Sequence, residues 1–178
     1  MSQPKSPQPA KLVIGIFLKE KELVYSLSQL LVTLFGAIDM VSPWFDFKFT
    51  NYYTREMGSP LFRRIFSFKN LIEQQDLAHI KVQTNQLEHT FARKGRRRVN
   101  IDPGYLLHER FVLATGKNFS HRIYLKEGIY ADLTLIYQKG SFRPLPWTYP
   151  DYAHTDLQRY LKQVRMRYSF DLKRTIQP

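Results

Sequence analysis

Between Val99 and Tyr152 the side chains able to do chemistry crowd around turn signals. Asp102 lies in Asn100-Ile101-Asp102-Pro103-Gly104-Tyr105, and Lys117, His121 and Arg122 lie in Thr115-Gly116-Lys117-Asn118-Phe119-Ser120-His121-Arg122. Tyr130 and Asp132 follow, and Leu145-Pro146-Trp147-Thr148-Tyr149-Pro150-Asp151-Tyr152 ends the stretch. A glycine lets backbone approach an anion, while lysine and arginine add charge. Lys117, His121 and Arg122 therefore form a candidate phosphate-binding segment. Asp102, Asp132 and His121 are of types that hold magnesium or act as acid or base, although Asp102 fits equally well in a plain Asp-Pro-Gly turn. Upstream, the polar-aromatic loop Asn51 to Gly58 is long for a hairpin connection, and Tyr52, Arg55 and Glu56 would offer it hydrogen bonds to a ligand.

Several named chemistries are excluded. A Walker A loop needs a glycine five residues before its Gly-Lys pair and a Ser or Thr after the lysine; here Arg110 or Phe111 stands near the first place and Asn118 at the second. The five histidines offer no H-x-x-x-H spacing, and no serine sits in a G-x-S-x-G elbow. With no cysteine there is no thiolate zinc site, Cys nucleophile or redox pair. No catalytic residue, metal site or cofactor is assigned, and whether the chain is an enzyme stays open.

The formal net charge of +12 favours an anionic partner. A phosphate-bearing small molecule such as a nucleotide is the first expectation. An RNA-associated module is the alternative, using the dense run Arg93 to Arg98 and the basic C-terminal helix, with some of the abundant aromatics as stacking platforms. A structural or interaction protein without catalysis is a third reading. The longest apolar run, Leu12 to Leu18, is too short to span a bilayer, so no membrane partner is expected and a cytoplasmic setting is the expectation. Oligomeric state is not legible.

The elements that must position these residues follow from periodicity. Residues 1–10 read as a disordered tail and 11–178 as one globular domain. Lys11 to Leu18 reads as a buried strand, and Glu20 to Phe35 as a helix stopped by Gly36. Ile38 to Val41 with Phe45, Phe47 and Phe49 gives a second strand, and Leu61 to Phe68 its antiparallel partner. A helix from Asp76 to Arg93 and a strand from Arg96 to Ile101 complete β-α-β-β-α-β, the ferredoxin-like pattern. Tyr105 to Thr115 fits a helix somewhat better than a strand. His121 to Gln138 forms a hairpin, with Leu125 facing Ile129, Tyr124 facing Tyr130 and Arg122 facing Asp132 across a three-residue loop; a two-residue loop would shift that register. Pro144 to Tyr152 suits an extended edge or lid, and His154 to Leu172 a last helix. The fold class is therefore α+β, one domain with a mainly antiparallel sheet, ferredoxin-like at its start and extended by a hairpin and a C-terminal helix.

Five runs carry a resemblance: Asn-Tyr-Tyr-x-x-Glu-Met-Gly at Asn51, Val-Asn-Ile-Asp-Pro-Gly-Tyr-Leu at Val99, His-Arg-Ile-Tyr-Leu at His121, Gly-Ile-Tyr-Ala-Asp at Gly128 and Leu-Pro-Trp-Thr-Tyr-Pro-Asp-Tyr at Leu145. They resemble an uncharacterised bacterial domain-of-unknown-function family, number 4416, over nearly the whole chain beyond the tail. Members are sometimes labelled GTP-binding. The resemblance implies no established activity, cofactor or catalytic residue.

Overall fold

The apolar run at the start of the chain forms strand β1 (Ala10–Leu18), every residue of which is buried. A strand covered on both faces loses the alternation of a half-exposed one and reads as a continuous hydrophobic stretch. The structure is a computed structural model. It describes residues 1–48 and 53–176, without the side chains of Thr54, Arg55, Thr175 and Ile176. After β1 come α1 (Leu23–Phe35), β2 (Ile38–Val41), β3 (Phe45–Phe47), α2 (Thr54–Met57), β4 (Leu61–Ile72), α3 (Leu77–Phe91) and β5 (Val99–Leu106). Then follow β6 (Arg110–Thr115), β7 (Arg122–Lys126), β8 (Ile129–Gln138), β9 (Ser141–Pro144), α4 (Pro150–Ala153) and α5 (Thr155–Ile176).

Among the described residues, nine strands make one sheet in the order β2-β4-β1-β5-β6-β8-β7, with β3 on β4 and β9 on β8. Its pairings are antiparallel. The part β2-β4-β1-β5, crossed by α1 and α3, is the ferredoxin-like arrangement expected from the periodicity. Leu12, Ile14, Ile16 and Leu18 pack with Leu27 and Leu31 of α1 and Ile80 and Leu87 of α3. Val13 belongs instead to the core formed with Tyr152 and with Leu157, Leu161 and Val164 of α5. Helices thus cover both faces of β1.

Several local expectations change. The second strand is two, β2 and β3, each paired with β4, and Phe49 lies outside the described residues. Tyr105 to Thr115 is not helical: it supplies the end of β5 and all of β6. Arg-Phe-Val-Leu-Ala-Thr is a β-branched and aromatic run, and its fit to a sheet flanked by β5 and β8 outweighs the weak helical period. Asp102-Pro103-Gly104 is likewise strand rather than turn, facing Gly15, Ile14 and Val13 of β1. Gly104 is there because a Cβ would lie 2.5 Å from the Val112 carbonyl oxygen. Pairing of β5 with β6 is confined to Gly104 through Leu106, so β6 does not run beside Asp102 and Pro103; Pro103 offers no amide to a ladder. Finally, the hairpin keeps the register Arg122 to Asp132 and Tyr124 to Tyr130, but Lys126 faces Ile129 across a two-residue turn. Glu127 and Gly128 both have positive φ, as a type I′ turn requires, and an irregularity between Tyr124 and Lys126 absorbs the extra residue.

Candidate ligand-binding site

Gly15 is the one glycine inside an apolar strand run, and its neighbours explain it. A Cβ there would lie 2.7 Å from Tyr152 Oη and 3.2 Å from Arg63 Nη1. On this face Arg63 lies opposite Phe17, while Asp102 lies opposite Gly15 in the next row. The bare glycine leaves a lane through which Arg63 of β4 crosses β1 to reach Asp102 of β5, Nη2 to Oδ2 at 3.3 Å. Its Nε lies 2.9 Å from Asp151 Oδ2 of α4. The guanidinium also stands over the rings of Phe17, Phe47 and Tyr152, at 5.4, 5.1 and 4.8 Å from their centroids.

This is a desolvated charge cluster, with the Arg63 side chain only 4% exposed. Burial pushes the Asp151 carboxyl up, against the pull of the Arg63 charge. Burial likewise raises the Tyr152 phenol. Arg63 Nε and Nη1, Asp151 Oδ2 and Tyr152 Oη have no aligned hydrogen bond among the described residues. These groups face one another as a buried ion pair beside a phenol, and a buried charge cluster with shifted titration at the edge of a cavity marks a candidate functional site.

From Asp102 a chain of polar contacts runs outward. Asn100 Nδ2 donates to Asp102 Oδ1 at 2.8 Å, and Arg97 Nη1 donates to Asn100 Oδ1 at 3.0 Å. Arg97 then clasps Glu56 of α2 with two bonds, 2.9 and 2.7 Å, which hold the Glu56 carboxyl below its ordinary range. A second group forms at the hairpin. Arg122 Nε donates to buried Asp132 at 2.9 Å, Nη1 to the Lys117 carbonyl at 2.9 Å and Nη2 to Tyr149 Oη at 2.8 Å. His121 Nε2 lies 3.3 Å from the same Asp132 oxygen, and its ring stacks on Trp147 at 4.7 Å and 11°. Burial raises the Tyr149 phenol; Arg122 opposes this, while the charges of Asp132 and Asp102 add to it, so Tyr149 stands within the field of both groups.

Of the residues singled out from sequence, Glu56 and Asp102 join the first network and His121, Arg122 and Asp132 the second. Lys117 is an exposed loop residue beside Arg122. Tyr130 is half-buried against Tyr124, with ring centroids 5.4 Å apart. Tyr52 lies outside the described residues; Arg55 lies in α2, its side chain outside the description. The hairpin face carrying Asp132 and Thr134 is not a solvated one, because residues 147–149 cover it: Trp147 Nε1 donates to the Leu133 carbonyl, and Thr148 Oγ1 to that of Thr134.

The end of the basic run is committed to the fold. Arg97 is held as described and Arg98 pairs with Glu20, while Arg93, Lys94 and Arg96 stay exposed around a tight turn. On α5, Arg165 donates to the His108 carbonyl, and Arg167 lies between Asp39 and Asp171.

Beside the Arg63 and Asp151 pair opens a cavity of about 570 Å³. Trp44, Phe45 and Phe47 supply its aromatic wall, and Lys48 and His154 also line it. Sequence reasoning missed this cavity and its floor. The signals were the one glycine within the apolar run of β1 and an arginine at a buried position of β4; neither means anything until β4, β1 and β5 are placed side by side. The described residues hold no cluster of His, Asp and Glu suited to a metal ion.

Fold and site together define a one-domain α+β protein whose ferredoxin-like sheet is prolonged by a hairpin and covered by a C-terminal helix. The chain belongs to the domain of unknown function family DUF4416, whose family model matches residues 8–168. No curated protein matches the chain, and no solved structure does. No helix among the described residues is long and apolar enough to cross a membrane.

Proposed function

We propose that the chain binds a small phosphate-bearing ligand of nucleotide size in the cavity floored by Arg63 and Asp151. The observation that supports this is a ligand-sized space ending on a buried guanidinium and carboxylate pair. Phe45 offers an aromatic surface for a planar ring, and Lys48 offers positive charge for the phosphate. Lys48 is exposed and pairs with exposed Asp46 at 2.6 Å, a contact that costs little to exchange for a phosphate oxygen. The Asp102 to Glu56 network holds Arg63 from behind.

A thermal-shift panel of nucleotides and simple phosphate esters tests the reading. A ligand at a hundredfold excess over its dissociation constant stabilises by about 2.7 kcal/mol, a rise of roughly 5–10 °C for a chain of this size. Lys48→Glu, a surface change, is expected to abolish that rise without lowering the ligand-free melting temperature. A panel in which no phosphate compound shifts the transition would remove the proposal.

A further inference from the structure

Independently of the cavity, the edge hairpin presents an aromatic surface that the fold leaves uncovered. We infer that this surface binds single-stranded RNA. β7 is the terminal strand of the sheet. Around it Phe119 is 65% exposed, Tyr124 59%, Tyr149 42% and Trp147 38%. They are ordered rather than scattered. Phe119 meets His121 edge-on at 5.4 Å, and His121 stacks flat on Trp147, so three rings follow one another. Trp147 is fixed by its bond to the Leu133 carbonyl and Tyr149 by Arg122. Rings anchored through a polar edge and still partly exposed lose little freedom when a base stacks on them.

Charge selects the partner. Asp132 beneath the surface is buried and neutralised by Arg122, while Lys117 stands exposed in the loop before β7 and Lys126 at its last position. Glu127 at the hairpin tip lies 3.6 Å from Lys126. A chain of net charge +12 with exposed rings and exposed lysines on the same edge hairpin matches a polyanion whose unpaired bases have free faces. The phenol hydroxyls of Tyr124 and Tyr149 can hydrogen-bond the 2′-hydroxyl that distinguishes RNA from DNA. In the Arg93 to Arg98 run Arg97 and Arg98 are paired with Glu56 and Glu20, whereas the hairpin edge offers exposed rings and exposed lysines together, and it is there that the RNA contact is inferred.

Fluorescence anisotropy with a labelled uridine oligonucleotide of about 12 nucleotides, run with the full chain over a salt series, decides it. Saturable binding that weakens with salt is expected, with Phe119→Ala and Trp147→Ala each costing about tenfold in affinity and Lys117→Glu a comparable amount. Phe119 is surface-exposed, so its variant keeps the fold, which circular dichroism verifies. The inference is overturned by absent binding, by Phe119→Ala binding as wild type, or by binding lost only on replacing Arg93, Lys94 and Arg96. Equal affinity for single-stranded DNA or duplex RNA overturns it as well.

Discussion

Arg63 shows how a single side chain can organise a site. An arginine with its charge removed from water is tolerated only when carboxylates and rings surround it, and breaking one partner of such a set is far costlier than its net contribution suggests. Asp102, Asp151, Phe17, Phe47 and Tyr152 supply that surrounding, and Gly15 supplies the space. Gly15→Ala is expected to destabilise the protein by about 1–3 kcal/mol, because the new methyl meets Tyr152 Oη and the guanidinium in a packed core. Urea unfolding measures this directly; an unchanged midpoint would show that the lane is not needed. The φ of Gly15 is not in the left-handed region, so the effect is one of space and not of backbone strain.

At the scale of elements, the hairpin and the segment after β9 work as a pair. β7 and β8 alone form a marginal edge, but Trp147, Thr148 and Tyr149 bond back to Leu133, Thr134 and Arg122, closing over Asp132. The same segment continues into α4, where Asp151 and Tyr152 meet Arg63. One short stretch therefore ties the hairpin group to the cavity floor. The hairpin itself depends on its turn. Gly128 has φ +73° with open space around its α-carbon, so Gly128→Ala meets only the backbone penalty, about 1–2 kcal/mol. Hydrogen exchange is the measurement of choice: amides of β7 and the start of β8 should lose protection while those of β1 keep theirs.

The whole molecule is held between its ends by a buried ion cluster. Lys11 of β1 is fully buried and pairs with Asp39 of β2 and Asp171 of α5, and Arg167 reaches both carboxylates. Burial would raise the Asp39 carboxyl, but its bonds from Lys11 and Ser67 outweigh this and hold it below its ordinary value of 3.8. A carboxyl lowered on folding contributes stability that is present above its unfolded value and is lost as pH falls through the folded one. Lys11→Met leaves two buried carboxylates short of their cation and is expected to destabilise by about 3–5 kcal/mol near neutral pH. Its stability should then fall less than that of wild type as the medium is acidified below the ordinary carboxyl range. Melting curves over a pH series distinguish this from a simple packing defect, which would shift both proteins in parallel.

Local patterning determined much of this protein. The run Lys11 to Leu18, the helical period to Phe35 and the helix near Leu77 to Phe91 specify the ferredoxin-like half, since burial of one stripe or two faces leaves its mark residue by residue. The pairing of Arg122 with Asp132 was read from a three-residue loop; the turn has two residues, and the pairing holds because an irregularity between Tyr124 and Lys126 restores the register. The stretch Tyr105 to Thr115 was not legible, because a short apolar run satisfies helix and strand alike until flanking strands choose. Nor was the cavity. Arg63, Gly15, Asp102 and Asp151 are far apart in sequence, and no spacing rule relates them. Only the lateral order β4-β1-β5, with α4 laid across it, brings one guanidinium within reach of two carboxylates, because antiparallel register is set by long-range burial and not by local propensity.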